Sequence, residues 1–127
     1  MKKILAVLAV LALVFLLCSC SRSNVSSNAS VTLNFKGISI TLTDEEAAKV
    51  LQILDGKVYD SFLSGVPSCG FDKSVSFQVG LQTFAVAMDT CNCIYDLTSL
   101  KYFDVTEEEI TYIHELFEKY GGHFPCI

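Results

Sequence analysis

The chain has 127 residues, of which 51% are hydrophobic and 18% charged, and 14 acidic residues against nine basic ones give it a formal net charge of −5 at pH 7. Surfaces that bind the phosphates of DNA or RNA are basic, so this composition argues against nucleic acid as a partner. The length is that of one domain with a single hydrophobic core.

The N-terminal segment combines a basic start with an apolar run that ends in two cysteines. Two lysines precede an uncharged apolar run at residues 4–17, which is shorter than the roughly 20 residues of a membrane-spanning helix. After Leu17, Cys18 and Ser19 lead to Cys20. This order resembles the lipoprotein processing site, where a leucine and two small residues precede the cysteine that is acylated, although Cys18 departs slightly from the usual middle residue.

We therefore expect residues 1–19 to be a signal peptide and Cys20 to be the lipidated N-terminus of the mature protein, with palmitate or a similar acyl group. Each buried methylene contributes about 0.8 kcal/mol, so two or three acyl chains hold a protein firmly on a membrane. Loss of two lysines leaves seven basic residues and a net charge of −7. Residues 20–30 are rich in serine and asparagine, which predicts a lipidated, flexible tether of roughly 17 Å before a single domain at residues 31–127.

The first part of this domain predicts a hairpin and then a helix. Residues 31–35 and 38–42 alternate apolar and polar side chains on either side of a Lys-Gly turn. Thr43 and Glu46 have the spacing of a capping box, so a helix should begin there and end before the next Asp-Gly pair. The segment that follows predicts a short strand and then a loop, at residues 57–63 and 64–68.

The second part predicts another hairpin and another capped helix. A Gly-Leu turn between residues 75–79 and 82–88 places Phe77 opposite Phe84 on one apolar face. Thr106 begins a second capping box, and the helix should end at a Gly-Gly pair. The likeness of the two strand-to-helix units is typical of a duplication, but we prefer the alternative that capping chemistry alone produced it. The predicted fold is α+β: a mostly antiparallel sheet of about four to six strands with two amphipathic helices packed on one face.

Four cysteines belong to the domain, and small exported domains use such residues for disulfides. They are Cys69, Cys91, Cys93 and Cys126. A bond between Cys91 and Cys93 is disfavoured, because alternate residues of a strand lie too far apart. Cys69 should pair with one of these two, and Cys126 with the other.

The region from residue 44 to residue 120 resembles small uncharacterised lipoproteins of Gram-positive anaerobes. The residues that carry the resemblance are Cys69, Gly80, Cys91, Asp96 and the run Thr106-Glu107-Glu108. The resemblance implies that Cys69 and Cys91 are the shared disulfide pair, and that Cys93 with Cys126 is an addition in this chain. It brings no catalytic signature.

A thiol or metal protein is the alternative use of the same side chains. Thiolates and imidazole are ligands for zinc or copper, and the candidate set is Cys91, Cys93, His123 and Cys126. The oxidising environment outside the cytosol favours disulfide bonds between these cysteines over their use as metal ligands. A reactive thiol would need a basic neighbour, whereas the sequence around Cys91 is acidic.

Three other patterns fall short of known sites. His114 and Glu115 match the start of H-E-x-x-H, but Glu118 replaces the second histidine, so an exposed helix flank is expected. The stretch at residues 65–70 misses G-x-S-x-G by one position. The acidic group Asp89, Asn92 and Asp96 lacks the spacing of a calcium loop and is interpreted as turn chemistry.

These observations predict a non-enzymatic binding module, because no acid, base and nucleophile set is recognisable. It would be tethered to the outer side of a bacterial cell membrane. The expected contact is its acidic face or an exposed sheet edge. The expected partner is a cell-surface protein or envelope ligand, and acidity suits a basic one such as a wall-degrading enzyme that the module would inhibit or sequester.

Overall fold

The computed structural model describes residues 22–60 and 69–126, together with residues 4, 6 and 7 of the leader. Six strands and two helices make up the described part of the domain. They are β1 (Val31–Phe35), β2 (Ile38–Thr41), α1 (Asp44–Leu54), β3 (Val75–Val79), β4 (Gln82–Val86), β5 (Cys93–Asp96), β6 (Lys101–Asp104) and α2 (Glu107–Lys119).

The strands form one antiparallel sheet in the order β2-β1-β3-β4-β5-β6. Both predicted hairpins are present, and Phe77 lies opposite Phe84 as the alternation of apolar residues predicted. The chain returns from α1 to place β3 beside β1, and then passes through β4, β5 and β6 in sequence. The α+β fold is therefore confirmed.

Both helices begin with the predicted capping box. The Thr43 hydroxyl accepts a hydrogen bond from the backbone N–H of Glu46, whose carboxylate accepts one from the N–H of Thr43. Thr106 and Glu109 make the same pair of bonds at the start of α2. Each box satisfies backbone donors that have no partner inside the helix.

The two faces of the sheet carry side chains of different size. Large buried side chains, among them Leu33, Phe77 and Phe103, share one core with the apolar stripes of α1 and α2. The other face buries small residues such as Ser76 and Ala85. Because side chains alternate along a strand, each residue's position in its strand decides which face it occupies.

The predicted tether is wrong for residues 22–30, which belong to the domain. Ser23 and Val25 are buried, and the Ser23 hydroxyl donates to the carbonyl oxygen of Leu54 at 2.6 Å. The N–H of Val25 donates to an Asp55 carboxylate oxygen at 3.1 Å. The physical reason is that the end of α1 leaves carbonyl groups without helical partners, and this segment satisfies one of them.

The strand predicted at residues 57–63 is also wrong where the structure describes it. Within residues 57–60, Val58 makes only an isolated bridge to Arg22, and the N–H of Asp60 donates to the carbonyl of Tyr102 at 2.8 Å. Residues 61–63 and the predicted loop at 64–68 lie outside the described residues.

Candidate functional site

The disulfide joins Cys69 to Cys91, as the family resemblance implied. Their Cα atoms are 6.2 Å apart, and the bond closes a sequence separation of 22 residues across β3 and β4. The backbone also connects the two segments, since the N–H of Met88 donates to the carbonyl of Gly70 at 2.9 Å. The bond therefore holds the segment before β3 against the loop that follows β4.

The second pairing implied for this chain is wrong, because Cys93 and Cys126 are both free and buried. Ile94 belongs to the core beneath the helices, so its neighbour Cys93 points to the opposite face of the sheet. Cys126 lies in the core on the helical side. The two side chains therefore belong to different faces of the sheet.

The four residues proposed as metal ligands are not brought together either. Cys91 is in the disulfide, Cys93 and Cys126 occupy opposite faces, and the His123 ring contacts Phe35 edge-on with centroids 5.8 Å apart. Among the described residues, the one group with metal-ligand spacing is Cys69, Asp89 and Cys91, whose ligand atoms lie within 4.8 Å of one another. Its two sulfurs are bonded to each other, so they are not thiolate donors in this state.

The environment of Cys93 opposes thiol reactivity. Burial, followed by the nearby charges of Asp104, Asp60 and Asp89, raises the pKa of this thiol to about 12. Burial also raises the pKa of Cys126. Since the thiolate is the nucleophile, neither side chain is activated for attack in the folded protein.

The His114 region forms a packing contact. Glu115 and Glu118 are exposed, as predicted, whereas His114 is half-buried and stacks on Phe124 with ring centroids 4.2 Å apart. Burial lowers the pKa of His114, and its buried Nε2 has no hydrogen-bond partner among the described residues. The ring is therefore a neutral contact that holds the C-terminal segment on α2.

The carboxylates interpreted as turn chemistry do stabilise turns. Asp89 accepts a hydrogen bond from the N–H of Cys91 at 2.9 Å, and Asp96 accepts from the N–H groups of Thr98 and Ser99. The Tyr59 hydroxyl donates to the other oxygen of Asp96 at 2.7 Å, and burial raises the pKa of Tyr59 to about 12. Both carboxylates are thus occupied by protein donors.

The outer surface of the two helices carries the main acidic patch, which we call the helical face. Its centre is Lys49, whose ammonium lies 4.2 Å from the ring centroid of Tyr112. A groove of about 400 Å³ runs beside this pair. The residues that line it are Lys49, Gln52, Ile53, Lys57, Glu108, Glu109 and Tyr112.

Lysine side chains neutralise only part of the helical face. Lys57 pairs with Glu109 at 2.7 Å, and Lys119 pairs with Glu46, which lowers the pKa of that carboxyl to about 2. Four other glutamates of this face have no ion pair within the described ranges: Glu45, Glu107, Glu108 and Glu115. Sequence reasoning predicted the acidity but not the groove, because the packing of α1 beside α2 creates it.

The described residues define a groove within an acidic helical face on a small disulfide-bonded α+β domain. No protein-family model, curated protein or solved structure matches the chain. The described helices include none with the length and apolar character to cross a bilayer. Cys18 and Cys20 lie outside the described residues, so acylation stays a prediction.

Proposed function

We propose that this protein is an outward-facing lipoprotein, anchored to a bacterial membrane through Cys20, whose helical face binds a basic protein. The observation that carries the binding proposal is the helical face around the groove, where six glutamates and three lysines surround the ring of Tyr112. The proposal assigns no catalytic step to the domain.

Two independent features support export. One is the leader that ends in Leu17 and Cys20. The other is the disulfide between Cys69 and Cys91, because such bonds persist outside the reducing cytosol.

The groove suits a basic partner in both charge and shape. The unpaired glutamates attract lysine or arginine side chains and raise the rate of encounter at low salt. Tyr112 lines the groove, and the contact of its ring with the ammonium of Lys49 indicates that this surface accommodates a cation, which an arginine of the partner would replace. A surface patch of this kind binds protein segments better than it encloses a small molecule.

The anchor is tested by Cys20→Ala in the producing bacterium. We expect the variant to leave the membrane fraction at high salt while it keeps the thermal unfolding midpoint of the wild-type domain. Unprocessed protein is recognised by its mass, which includes residues 1–19. A processed Cys20→Ala protein that stays membrane-bound would contradict the anchor.

The binding face is tested with a basic wall-degrading enzyme such as a lysozyme as the probe. Glu115→Gln removes one unpaired charge from the helical face beside Tyr112, and Glu118→Gln removes one from the same helix outside that face. We expect Glu115→Gln to weaken binding by about 0.5 kcal/mol, the effect of one exposed charge, and Glu118→Gln to have a smaller effect. Equal losses would indicate only a general attraction to net charge, and the absence of wild-type binding at low salt would reject this probe class.

Metal binding by the reduced protein is the second candidate function, and it is favoured by the grouping of Cys69, Asp89 and Cys91 within 4.8 Å. Two thiolates and a carboxylate leave a fourth zinc position open. In an equilibrium titration, the protein reduced with a dithiol should bind Zn²⁺, and Asp89→Asn should weaken that binding. Binding that is unchanged in Asp89→Asn, or absent from the reduced protein, would remove this candidate.

A further inference from the structure

Two hairpin turns lie side by side at one end of the sheet. The turn between β3 and β4 contains Leu81, and the turn between β5 and β6 contains Leu100. Hydrogen bonds join the two turns, because the N–H of Leu97 donates to the carbonyl of Thr83 at 2.9 Å and the N–H of Thr83 donates to the Thr98 hydroxyl at 3.2 Å. We call this end of the domain the hairpin end.

Large apolar side chains are exposed at the hairpin end. Leu81 is 95% exposed and Leu100 is 70% exposed, and these are the two highest values among the large apolar residues described in the domain. Scattered single leucines need no explanation, but two on adjoining turns present one apolar edge.

The backbone of Leu100 is an additional anomaly. Its φ is +58°, a left-handed conformation that favours glycine or asparagine and is rare for a bulky residue. A leucine here costs stability and gains no burial within the domain. A contact outside the domain would account for an apolar side chain at such a position.

The chain also enters the domain at this end. The Gln82 side-chain amide, next to Leu81, donates to the carbonyl of Asn24 at 3.2 Å. Arg22 lies two residues before Asn24 and two after Cys20, so covalent geometry keeps the Cα atoms of Arg22 and Cys20 within roughly 7 Å. The short link limits how far an acylated Cys20 can lie from this end of the domain.

The charges near the apolar edge suit an anionic lipid surface. Arg22 is exposed, and Lys101, directly after Leu100, is exposed as well. Asp96, the last residue before the turn of Leu100, is buried and bonded to protein donors. Asp55, which accepts a hydrogen bond from the N–H of Val25, is exposed, so Arg22 and Lys101 are set against one carboxylate, in contrast to the helical face, where glutamates predominate.

We propose that the hairpin end lies on the membrane, with Leu81 and Leu100 inserted into the interfacial region of the lipid. This inference rests on the proposed acylation of Cys20 and assigns the orientation of the anchored domain. The acyl chains supply attachment, and the two leucines with Arg22 and Lys101 fix which end of the domain contacts the bilayer.

Fluorescence can test this orientation, because the wild-type chain contains no tryptophan. Leu81→Trp and Leu100→Trp each add one reporter at the hairpin end. Ile38→Trp is the matched control, because Ile38 is an exposed apolar residue that begins β2, directly after the hairpin turn at the opposite end of the sheet. Each full chain is produced in a bacterium that acylates it, purified in detergent and reconstituted into phosphatidylcholine and phosphatidylglycerol vesicles with brominated acyl chains.

We expect the emission of the Leu81→Trp and Leu100→Trp proteins to shift to shorter wavelength and to be quenched by the brominated lipid. The Ile38→Trp emission should stay at its value in water. Equal quenching at all three positions, or none at the hairpin end, in protein that floats with the vesicles would overturn the orientation and leave the anchor intact. Wild-type protein that fails to float would overturn the anchor and the orientation together.

A second variant separates membrane contact from folding. In the Leu81→Trp protein, Leu100→Asn places a residue that tolerates positive φ in the strained position. We expect an unchanged or higher thermal midpoint together with weaker quenching at position 81. Undiminished quenching would show that Leu100 does not contribute to the contact and would overturn its part in the proposal.

Discussion

Cysteines occupy two kinds of environment in this domain. Cys69 and Cys91 are half-exposed, lie in irregular segments and are bonded to each other. Cys93 and Cys126 are both 4% exposed, unbonded and located on opposite faces of the sheet. The difference indicates that the position of each side chain relative to the sheet decides which cysteines can form a disulfide.

The two environments also stabilise the fold in different ways. A disulfide acts mainly by restricting the unfolded chain, so its contribution depends on the length of the loop that it closes. A buried thiol contributes as a small apolar side chain within the packed native structure. Variants of each kind should therefore respond differently to a reductant, to a polar replacement and to alkaline pH.

The largest expected effect follows loss of the bond between Cys69 and Cys91. The double substitution Cys69→Ser and Cys91→Ser should lower the free energy of unfolding by about 3 kcal/mol, the chain-entropy value for a loop of this length. Urea denaturation measures the change. Wild-type protein treated with a dithiol should unfold at the midpoint of the double variant. A wild-type midpoint that is insensitive to the dithiol would mean that the bond contributes little.

A polar replacement of the buried thiols should have the next largest effect. Cys126→Ser places a hydroxyl in the apolar core and should cost about 2 kcal/mol, whereas Cys126→Ala avoids that burial penalty. Cys93→Ser should cost less, because the nearby charges of Asp104 and Asp60 make that site more polar than the apolar core around Cys126.

Each loss should be the same with and without a dithiol, since neither residue is in a disulfide. A dithiol that abolished the difference between Cys126→Ser and wild type would instead reveal a bond to Cys126 in the purified protein. Alkylation of native and unfolded protein, resolved by peptide mass, counts these thiols independently.

Most of the fold could be predicted from the sequence because its signals are local. The alternation around Phe77 and Phe84 needs only neighbouring residues, and so do the capping boxes at Thr43 and Thr106. The segment at Ser23 was misjudged because its burial depends on the end of α1, which is distant in the sequence.

The candidate site was less predictable for the same reason. The pairing of Cys93 with Cys126 agreed with the even number of cysteines and with the expected export of the chain. The face of the sheet that Cys126 occupies, however, depends on where the C-terminal segment packs. The backbone N–H of Cys126 donates to the carbonyl of Met88 at 2.8 Å, and no periodic pattern in the sequence predicts this contact. The groove at Tyr112 likewise exists only once α1 and α2 are packed together.

The smallest expected effect concerns alkaline pH and the thiol of Cys93. Its pKa in the folded protein, about 12, lies above the ordinary value of 9.0, so the unfolded state loses this proton first as pH rises. The native state then binds more protons than the unfolded state, and stability falls with increasing pH above about 9 at up to about 1.4 kcal/mol per pH unit. Below that pH both states keep the proton, and the thiol adds no pH dependence.

Between pH 9 and 10, wild-type protein should therefore lose up to about 1 kcal/mol more stability than Cys93→Ala, as measured by urea denaturation at each pH. Cys69 and Cys91 are bonded and have no thiol proton to lose. The double variant Cys69→Ser and Cys91→Ser should therefore lose as much stability between pH 9 and 10 as the wild-type protein does. Parallel pH profiles for wild type and Cys93→Ala would mean that the thiol of Cys93 ionises as easily in the folded domain as in the unfolded chain. The bonded and the buried cysteines would then differ only in whether they form a disulfide, and not in how readily a thiol ionises.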